Sequence, residues 1–363
     1  MSFDPKSLQR PEIKDFIHSH TKSDVAALAL KKPPHADWPY PAILDQIKAL
    51  QKAAKKLPNW AKNPDIILPA PDLIEQASSQ ACANFKASLF KGKSFADLTA
   101  GAGIDTLAFA KNFNEGVCVD KSEITTEILQ HNFETLSIKH VAIHHQDAAK
   151  ALQIMDKKDL IFIDPQRRDK NAKGFIKLEN YAPNVLELLP ALKNACDTLL
   201  IKASPMLDLW QAAKDLSVVD RVFVIEWQGE CKELLFQCDM NKKTQLQDIA
   251  ITCVSINDEG QPLHQFTFTK AEEDSATPEL ATPEPGDLIF EPGPTLMKGG
   301  AFKTLAARYD LKKLHPHTHL YIVPNAENIS GRWFTLENIL PVERKALPVK
   351  KANLAIRNFP DSV

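Results

Sequence analysis

Glycine is scarce in this chain of 363 residues. Twelve Gly stand against 25 Pro, where ordinary usage would give roughly 25 and 18. A chain this poor in glycine spends it where backbone freedom is needed, so its clusters are informative. Cysteine is sparse too, and six in the whole chain exclude a disulfide scaffold. None of Cys82, Cys118, Cys196, Cys231, Cys238 and Cys253 forms a CxxC pair or a zinc-finger spacing with histidine. Most lie in apolar runs, as buried free thiols do, and the expectation is a reducing cytoplasm. No apolar run reaches 18 residues, and MSFDPKSLQRPEIK at the start holds no apolar stretch of the signal-peptide kind. A chain neither exported by that route nor spanning a membrane is therefore expected. Net charge is only −2, so a globally polybasic protein is excluded. With 44% apolar and 25% charged residues, disorder as the main state is excluded as well.

The charge is unevenly placed. Residues 1–62 carry 11 basic and 6 acidic side chains, 271–291 carry 0 and 7, and 292–363 carry 11 and 5. Basic ends around an acidic middle suggest an acidic partner held by the flanks; solvated lysines on helix faces are the plainer alternative. Proline divides the chain, with ten of the 25 in residues 1–71 and none between Pro71 and Pro165. Residues 1–72 are expected to form short helices between proline turns. In YPAILDQIKALQKAAKKLP, Ile43, Ile47, Leu50 and Leu57 fall on one face, while Lys48, Lys52 and Lys55 line another. That second face is either a wet helix surface or a nucleic-acid contact.

Residues 73–90 predict one longer helix. From SFADLT to TLLIKA and the helix after it, strands and helices alternate. The pattern predicts an α/β fold with a parallel sheet covered on both faces, spanning 73–270. DRVFVIEW and ELLFQCDM are close enough to pair antiparallel, and IAITCVSI and HQFTFT follow them. AEEDSATPELATPEPG, residues 271–286, is acidic, rich in proline and without apolar period, so it is expected to be a linker. A small α+β domain, 287–363, should follow, with a final helix near KKANLAIRNF.

The chemistry gathers at predicted strand ends. In SFADLTAGAGIDTLAFA a strand ends at Asp97, a loop carries Thr99, Gly101 and Gly103, and a helix follows. Such a loop brings backbone N–H groups close to a nucleotide-like ligand. A nicotinamide cofactor and S-adenosylmethionine both fit, although GxGxxG would need Gly where Thr106 stands. VCVDK ends the next strand at Asp120-Lys121, 17 residues after Gly103, where a carboxylate can take ribose hydroxyls. HHQDAAKAL places Asp147-Ala148 after a third strand, at a position suited to an adenine amino group or to a helix N-cap. DLIFIDPQRRD ends the fourth with Asp164-Pro165. Dehydrogenases have no need of Asp-Pro there. A methyltransferase acting on a planar amino group does, since carboxylate and carbonyl can align the N–H bonds for in-line transfer. Asp164, Pro165 and Arg167 are thus the catalytic candidates, and S-adenosylmethionine is the expected cofactor. Arg167 and Arg168 form either a phosphate clamp or a salt-bridged loop. Lys202 closes the fifth strand, to orient substrate or pair with a site carboxylate. Glu230, Lys232 and Glu233 are expected to be structural residues of the hairpin turn. No Cys lies in DPQRRD or IKASPMLD, which disfavours pyrimidine C5 chemistry.

EQASSQACANFKA, DLTAGAGIDTLAFA, DPQRRD, IKASPMLD, GECKELL, MKGGAF and ISGRWF occur in this order. Together, over about residues 70–363, they resemble a bacterial family of class I methyltransferases with a C-terminal ferredoxin-like and THUMP-like region. The resemblance implies a Rossmann-like class I fold. It also implies cofactor contacts at Asp97, Gly101, Gly103, Asp120 and Asp147, a reaction centre at Asp164-Pro165, and an acceptor in tRNA or rRNA. The Asp-Pro-Gln-Arg-Arg form lacks the aromatic that would stack on a flipped base. Candidate RNA contacts in the last domain are Lys298, Lys303, Arg308, Lys312, Lys313, Arg332, Lys350 and Lys351, with Trp333 for stacking. His315-x-His317-x-His319 suggests a strand face or loop, and no metal is expected. A protein or small-molecule methyltransferase, and a non-catalytic protein that binds the cofactor and RNA, remain the alternatives.

Overall fold

The computed structural model describes residues 4–167, 177–324, 329–341, 351 and 353. Lys350 and most of the expected final helix lie outside them. Proline shapes the first seventy residues, standing in the opening turn of α1 (Pro11–Ser19), α3 (Tyr40–Lys56), α4 (Pro58–Ala61) and α5 (Pro71–Gln76), where its missing N–H costs nothing. The short α2 (Val25–Ala29) is instead capped by Asp24. The single helix expected over 73–90 is two. Ser79 turns extended after α5 and accepts the Cys82 N–H, so that α6 (Gln80–Ser88) starts anew.

The Pro-free stretch then builds the sheet: β1 (Gly92–Asp97), α7 (Ile104–Phe109), β2 (Phe113–Asp120), α8 (Glu123–Thr135), β3 (Val141–His145), α9 (Ala148–Ile154) and β4 (Lys158–Ile163). A two-residue ladder, β5 (Gln166–Arg167) with β6 (Tyr181–Ala182), brackets the segment after Asp164. α10 (Val185–Ala195), β7 (Cys196–Ala203), α11 (Leu209–Leu216), β8 (Val219–Trp227), β9 (Glu230–Asp239), β10 (Ala250–Ile256) and β11 (Pro262–Thr269) complete it. The nine strands run in the order β11-β10-β8-β9-β7-β4-β1-β2-β3. β8 and β9 pair antiparallel as expected, whereas β10 returns parallel to β8. The order reverses beside β1, whose neighbours are β2 and β4. That is the switch point at which such sheets bind ligands, beyond the C-terminal ends of their strands.

Strand alternation divides the core between two faces. Phe95, Phe162 and Leu200 point to one, with Ile43, Ile47 and Ile74 of the N-terminal helices; Ala96, Ile161, Ile163 and Ile201 point to the other. The first 72 residues are therefore a layer of the main domain. Asn132 of α8 fastens them by taking the Ile67 N–H and giving its amide to the Ile67 carbonyl.

The opposite face carries the small C-terminal unit: α12 (Lys270–Ser275), β12 (Leu288–Pro292), α13 (Pro294–Gly299), α14 (Lys303–Tyr309), β13 (Lys312–Lys313), β14 (Tyr321–Val323) and β15 (Gly331–Thr335), with sheet order β13-β14-β12-β15. α13 lies on β8, β9 and β10. A Cβ on Gly299 would stand 2.5 Å from Cys253 Sγ, so this glycine serves close packing. The expected linker is partly helix. α12 carries a capping box, and the Glu273 carboxylate accepts N–H bonds from Phe302, Lys303 and Thr304 at the start of α14. Among the described residues, no helix is long and apolar enough to cross a membrane.

Candidate active site

β1 delivers the chain at Asp97 into the loop Leu98–Gly103, which needs both glycines. Gly101 has φ +50° and Gly103 φ +79°, and a Cβ at Gly103 would stand 2.4 Å from Leu129 Cδ2. Asp97 lies beneath the loop, 1% exposed. Its carboxylate accepts the Thr99 N–H at 3.0 Å and the Thr106 hydroxyl at 2.6 Å. The residue expected to touch cofactor is thus committed first to the loop's shape, and Thr106, which breaks the GxGxxG pattern, is its partner. Asp120 at the end of β2 accepts the Gly101 N–H at 3.0 Å and the Ser122 N–H at 2.8 Å. Asp147 is the N-cap of α9, accepting the Ala149 N–H at 2.8 Å, so the helix-cap alternative holds. Asp97, Thr99, Gly101, Asp120, Lys121, Asp147, Ala148, Asp164 and Pro165 all line one cavity of about 1200 Å³ at the C-terminal edge of the sheet.

Asp164 is tied at two points. Its N–H donates to Thr99 Oγ1 at 2.7 Å, joining the reaction loop to the glycine loop. Its Oδ2 accepts from Lys202 Nζ at 2.5 Å. Lys202, on β7, is therefore the partner of a site carboxylate. Burial opposes its charge, but Asp164, Glu233 and Asp105 outweigh that and hold the ammonium above its ordinary pKa. Arg167 contributes backbone pairing with Tyr181. Arg168 lies outside the described residues.

Sequence reasoning missed a buried ionic cluster behind the site. Lys86 on α6 is fully buried, and its Nζ reaches Glu233 Oε2 at 2.5 Å, Asp105 Oδ1 at 3.0 Å and Ser78 Oγ at 2.7 Å. Ser78 donates in turn to Asp105 at 2.7 Å. Burial works against every charge here, yet Asp105 and Glu233 hold Lys86 above its ordinary pKa, and Lys86 with Lys202 holds Asp105 below its own. Glu233, expected to be a hairpin-turn residue, is a wall of the cavity; Glu230 and Lys232 pair with each other nearer solvent. The available signal was a single charge in each of the segments QACANFKA and ELLF, Lys86 and Glu233. Tyr181, also missed, reaches the cavity through the β5–β6 ladder, but at 3% exposure it is wall rather than stacking platform.

Burial pushes the Asp97 carboxyl up to about 7, against the Thr106 and Thr99 bonds that pull it down. The protonated form is therefore favoured by the folded state. Asp97 adds most to stability below its unfolded pKa near 4, and that contribution is lost as pH rises through about 7. In urea unfolding, the stability of wild type minus that of Asp97→Asn should fall by about 2–4 kcal/mol between about pH 5 and 8.5. A difference independent of pH would show that Asp97 ionises freely in the fold.

Five of the expected C-terminal cations are engaged within the protein. Lys298 donates to the Leu207 carbonyl at 2.8 Å, and Lys313 is buried on the Pro316 carbonyl at 2.7 Å. Arg308 pairs with Glu272 at 2.6 Å and Lys312 with Glu279 at 3.2 Å. Arg332 is exposed but pairs with Glu291. Glu272, Glu279 and Glu291 are thus internal counter-ions of this domain. Trp333 packs on Phe290 at 4.6 Å, and His319 stacks on Phe302 at 3.5 Å. Among the described residues no His, Cys, Asp and Glu group could hold a metal ion.

A nine-strand sheet with this order, a glycine loop after β1 and carboxylates at the ends of β2 and β4 has the class I methyltransferase fold. The comparisons agree with the expected resemblance. Residues 61–182 match the class I methyltransferase family described as conserved hypothetical protein 95, and residues 289–328 match a ferredoxin-like domain. A crystal structure of a candidate methyltransferase from Porphyromonas gingivalis W83 is 28% identical, with TM-score 0.86, covering 100% of this chain and 91% of that one. An rRNA methylase from Streptococcus thermophilus (14% identity, TM-score 0.32) covers 45% of this chain and 94% of its own. TrmK of M. capricolum with S-adenosyl-homocysteine (13%, 0.36) covers 45% and 69%. No curated protein matches the sequence. The cofactor of this fold is S-adenosylmethionine, and the residues present suit it: carboxylates at Asp120 and Asp147 for hydroxyl and amino groups, and a left-handed Gly101 at the cavity wall, where an added Cβ would meet no side chain.

Proposed function

We propose that this protein transfers a methyl group from S-adenosylmethionine to an exocyclic amino group of a base in tRNA or rRNA. The carrying observation is Asp164-Pro165 at the end of β4, one bond from the glycine loop and held by Lys202. When bound, S-adenosylmethionine supplies an electrophilic methyl group. Asp120 and Asp147 orient it, and Thr99 keeps the two loops in register. Asp164 has one oxygen on Lys202, while Oδ1 has no hydrogen-bond partner among the described residues and can accept an N–H of the acceptor. The Asp97 site lies under the loop and serves its shape. Rate then comes from alignment in a walled cavity rather than from covalent catalysis. The cavity, about 1200 Å³, exceeds the range of about 300–1,000 Å³ usual for one small ligand, which leaves room for an acceptor.

The test is incubation with labelled S-adenosylmethionine and separate RNA and protein fractions, followed by mass spectrometry of nucleosides. Label in an amino-methylated nucleoside is expected. Label only in protein would favour a second reading, a protein acceptor, for which the internally paired C-terminal cations speak.

A further inference from the structure

The cavity has two ends. One is the cofactor half, with the glycine loop, Asp120 and Asp147. The other is walled by Lys52, Lys55 and Lys56 from the last turns of α3, and by Trp227, Gln228 and Lys232 from the β8–β9 turn. Distant parts of the chain thus bring cations to one mouth. They are crowded there. Burial lowers the Lys56 ammonium to about 8; Lys202 and Lys232 push it the same way, and Glu233 opposes them. The protein's own acids compensate only some of this charge. Lys52 pairs with Glu75 at 2.5 Å, Lys232 with Glu230, and Lys202 with Asp164 at 2.5 Å. Lys56 donates to the carbonyls of Ile74 at 3.2 Å and Glu75 at 2.7 Å, which satisfy its protons but carry no full charge. Lys55 is exposed and makes no hydrogen bond or ion pair among the described residues, with Glu230 and Asp258 the carboxylates within its electrostatic reach. An anion at this mouth would relieve the repulsion. Among the described residues of the ferredoxin-like domain, acids meet Arg308, Lys312 and Arg332 one for one.

Building on the RNA reading above, we propose that this mouth receives phosphodiester groups of the acceptor strand. The N-terminal helices and the β8–β9 turn, rather than the ferredoxin-like domain, then carry the electrostatic part of RNA binding. Lys55 and Lys232 make the outer contacts, and the strand enters toward Asp164.

The experiment uses the full chain, with labelled bulk tRNA and ribosomal RNA titrated at several salt concentrations. Calorimetry with S-adenosylmethionine checks the fold of each variant. The double variant Lys55→Glu, Lys232→Gln should bind RNA at least about tenfold more weakly at low salt and lower the salt slope by about 0.9 per lysine lost. Its cofactor affinity should be unchanged. The double variant Lys312→Glu, Arg332→Glu should stay within about threefold of wild type. RNA affinity retained by the first variant and lost by the second would overturn the proposal while leaving RNA as the substrate. Wild-type protein that binds neither RNA at low salt would overturn both.

Discussion

Asp164→Ala should lower the rate of methyl transfer by about 10²–10⁴-fold while cofactor affinity stays within about threefold. The main chain at this position is held independently of the side chain, through the Asp164 N–H on Thr99 Oγ1 at 2.7 Å. The alanine variant therefore removes the carboxylate and leaves the loop in place. Two things go with it: the acceptor's aligning oxygen and the counter-ion of Lys202. Asp164→Asn keeps one oxygen but turns an amide against Lys202 or against the acceptor, so it should recover only part of the rate. The measurement is single-turnover transfer with saturating cofactor, which separates chemistry from binding. A rate for Asp164→Ala within threefold of wild type would mean that another group aligns the acceptor.

Lys86→Met is expected to cost about 3–5 kcal/mol in urea unfolding, the largest effect on stability anticipated in this chain. Lys86 is fully buried, and its loss leaves the Asp105 and Glu233 carboxylates together in the interior without the cation that touches both, Lys202 being the nearby cation left to them. The expense is that of stranded charges more than of a lost attraction. The triple variant Lys86→Met, Asp105→Asn, Glu233→Gln should accordingly recover most of it. A loss below about 1 kcal/mol for the single variant would mean that water reaches the cluster and screens it.

Whatever depends on neighbours in sequence was readable before the structure. β1, its glycine loop and α7 are one continuous segment, and apolar runs mark β1, β2, β3, β4 and β7, whereas α9 and the short β5–β6 ladder went unread. The carboxylates at Asp120 and Asp164 sit at strand ends for the same local reason. What was hidden depends on pairing across the chain. Glu233 meets Lys86 across 147 positions, and no periodicity reports such a contact. The parallel pairing of β10 with β8 is equally non-local. Charge patterning reported totals without pairings. The acidic run and the basic ends suggested an external partner; within the described residues Glu272 holds Arg308, Glu279 holds Lys312 and Glu291 holds Arg332. Composition counts charges without saying which are already answered. The helix break at Ser79 was missed because a cap and a helix-interior serine look alike until the backbone turns.

Lys298 crosses from α13 to the Leu207 carbonyl, just beyond Ser204, Pro205 and Met206, which line the cavity. The ferredoxin-like unit is in this sense a buttress to a wall it does not form. Cutting it away would release the segment after β7 and bare the β8–β10 face beneath α13. Such a truncated protein would lose acceptor binding even if the missing unit had never touched a nucleotide. Point variants that leave the buttress standing are therefore the ones able to tell a scaffold from a reader.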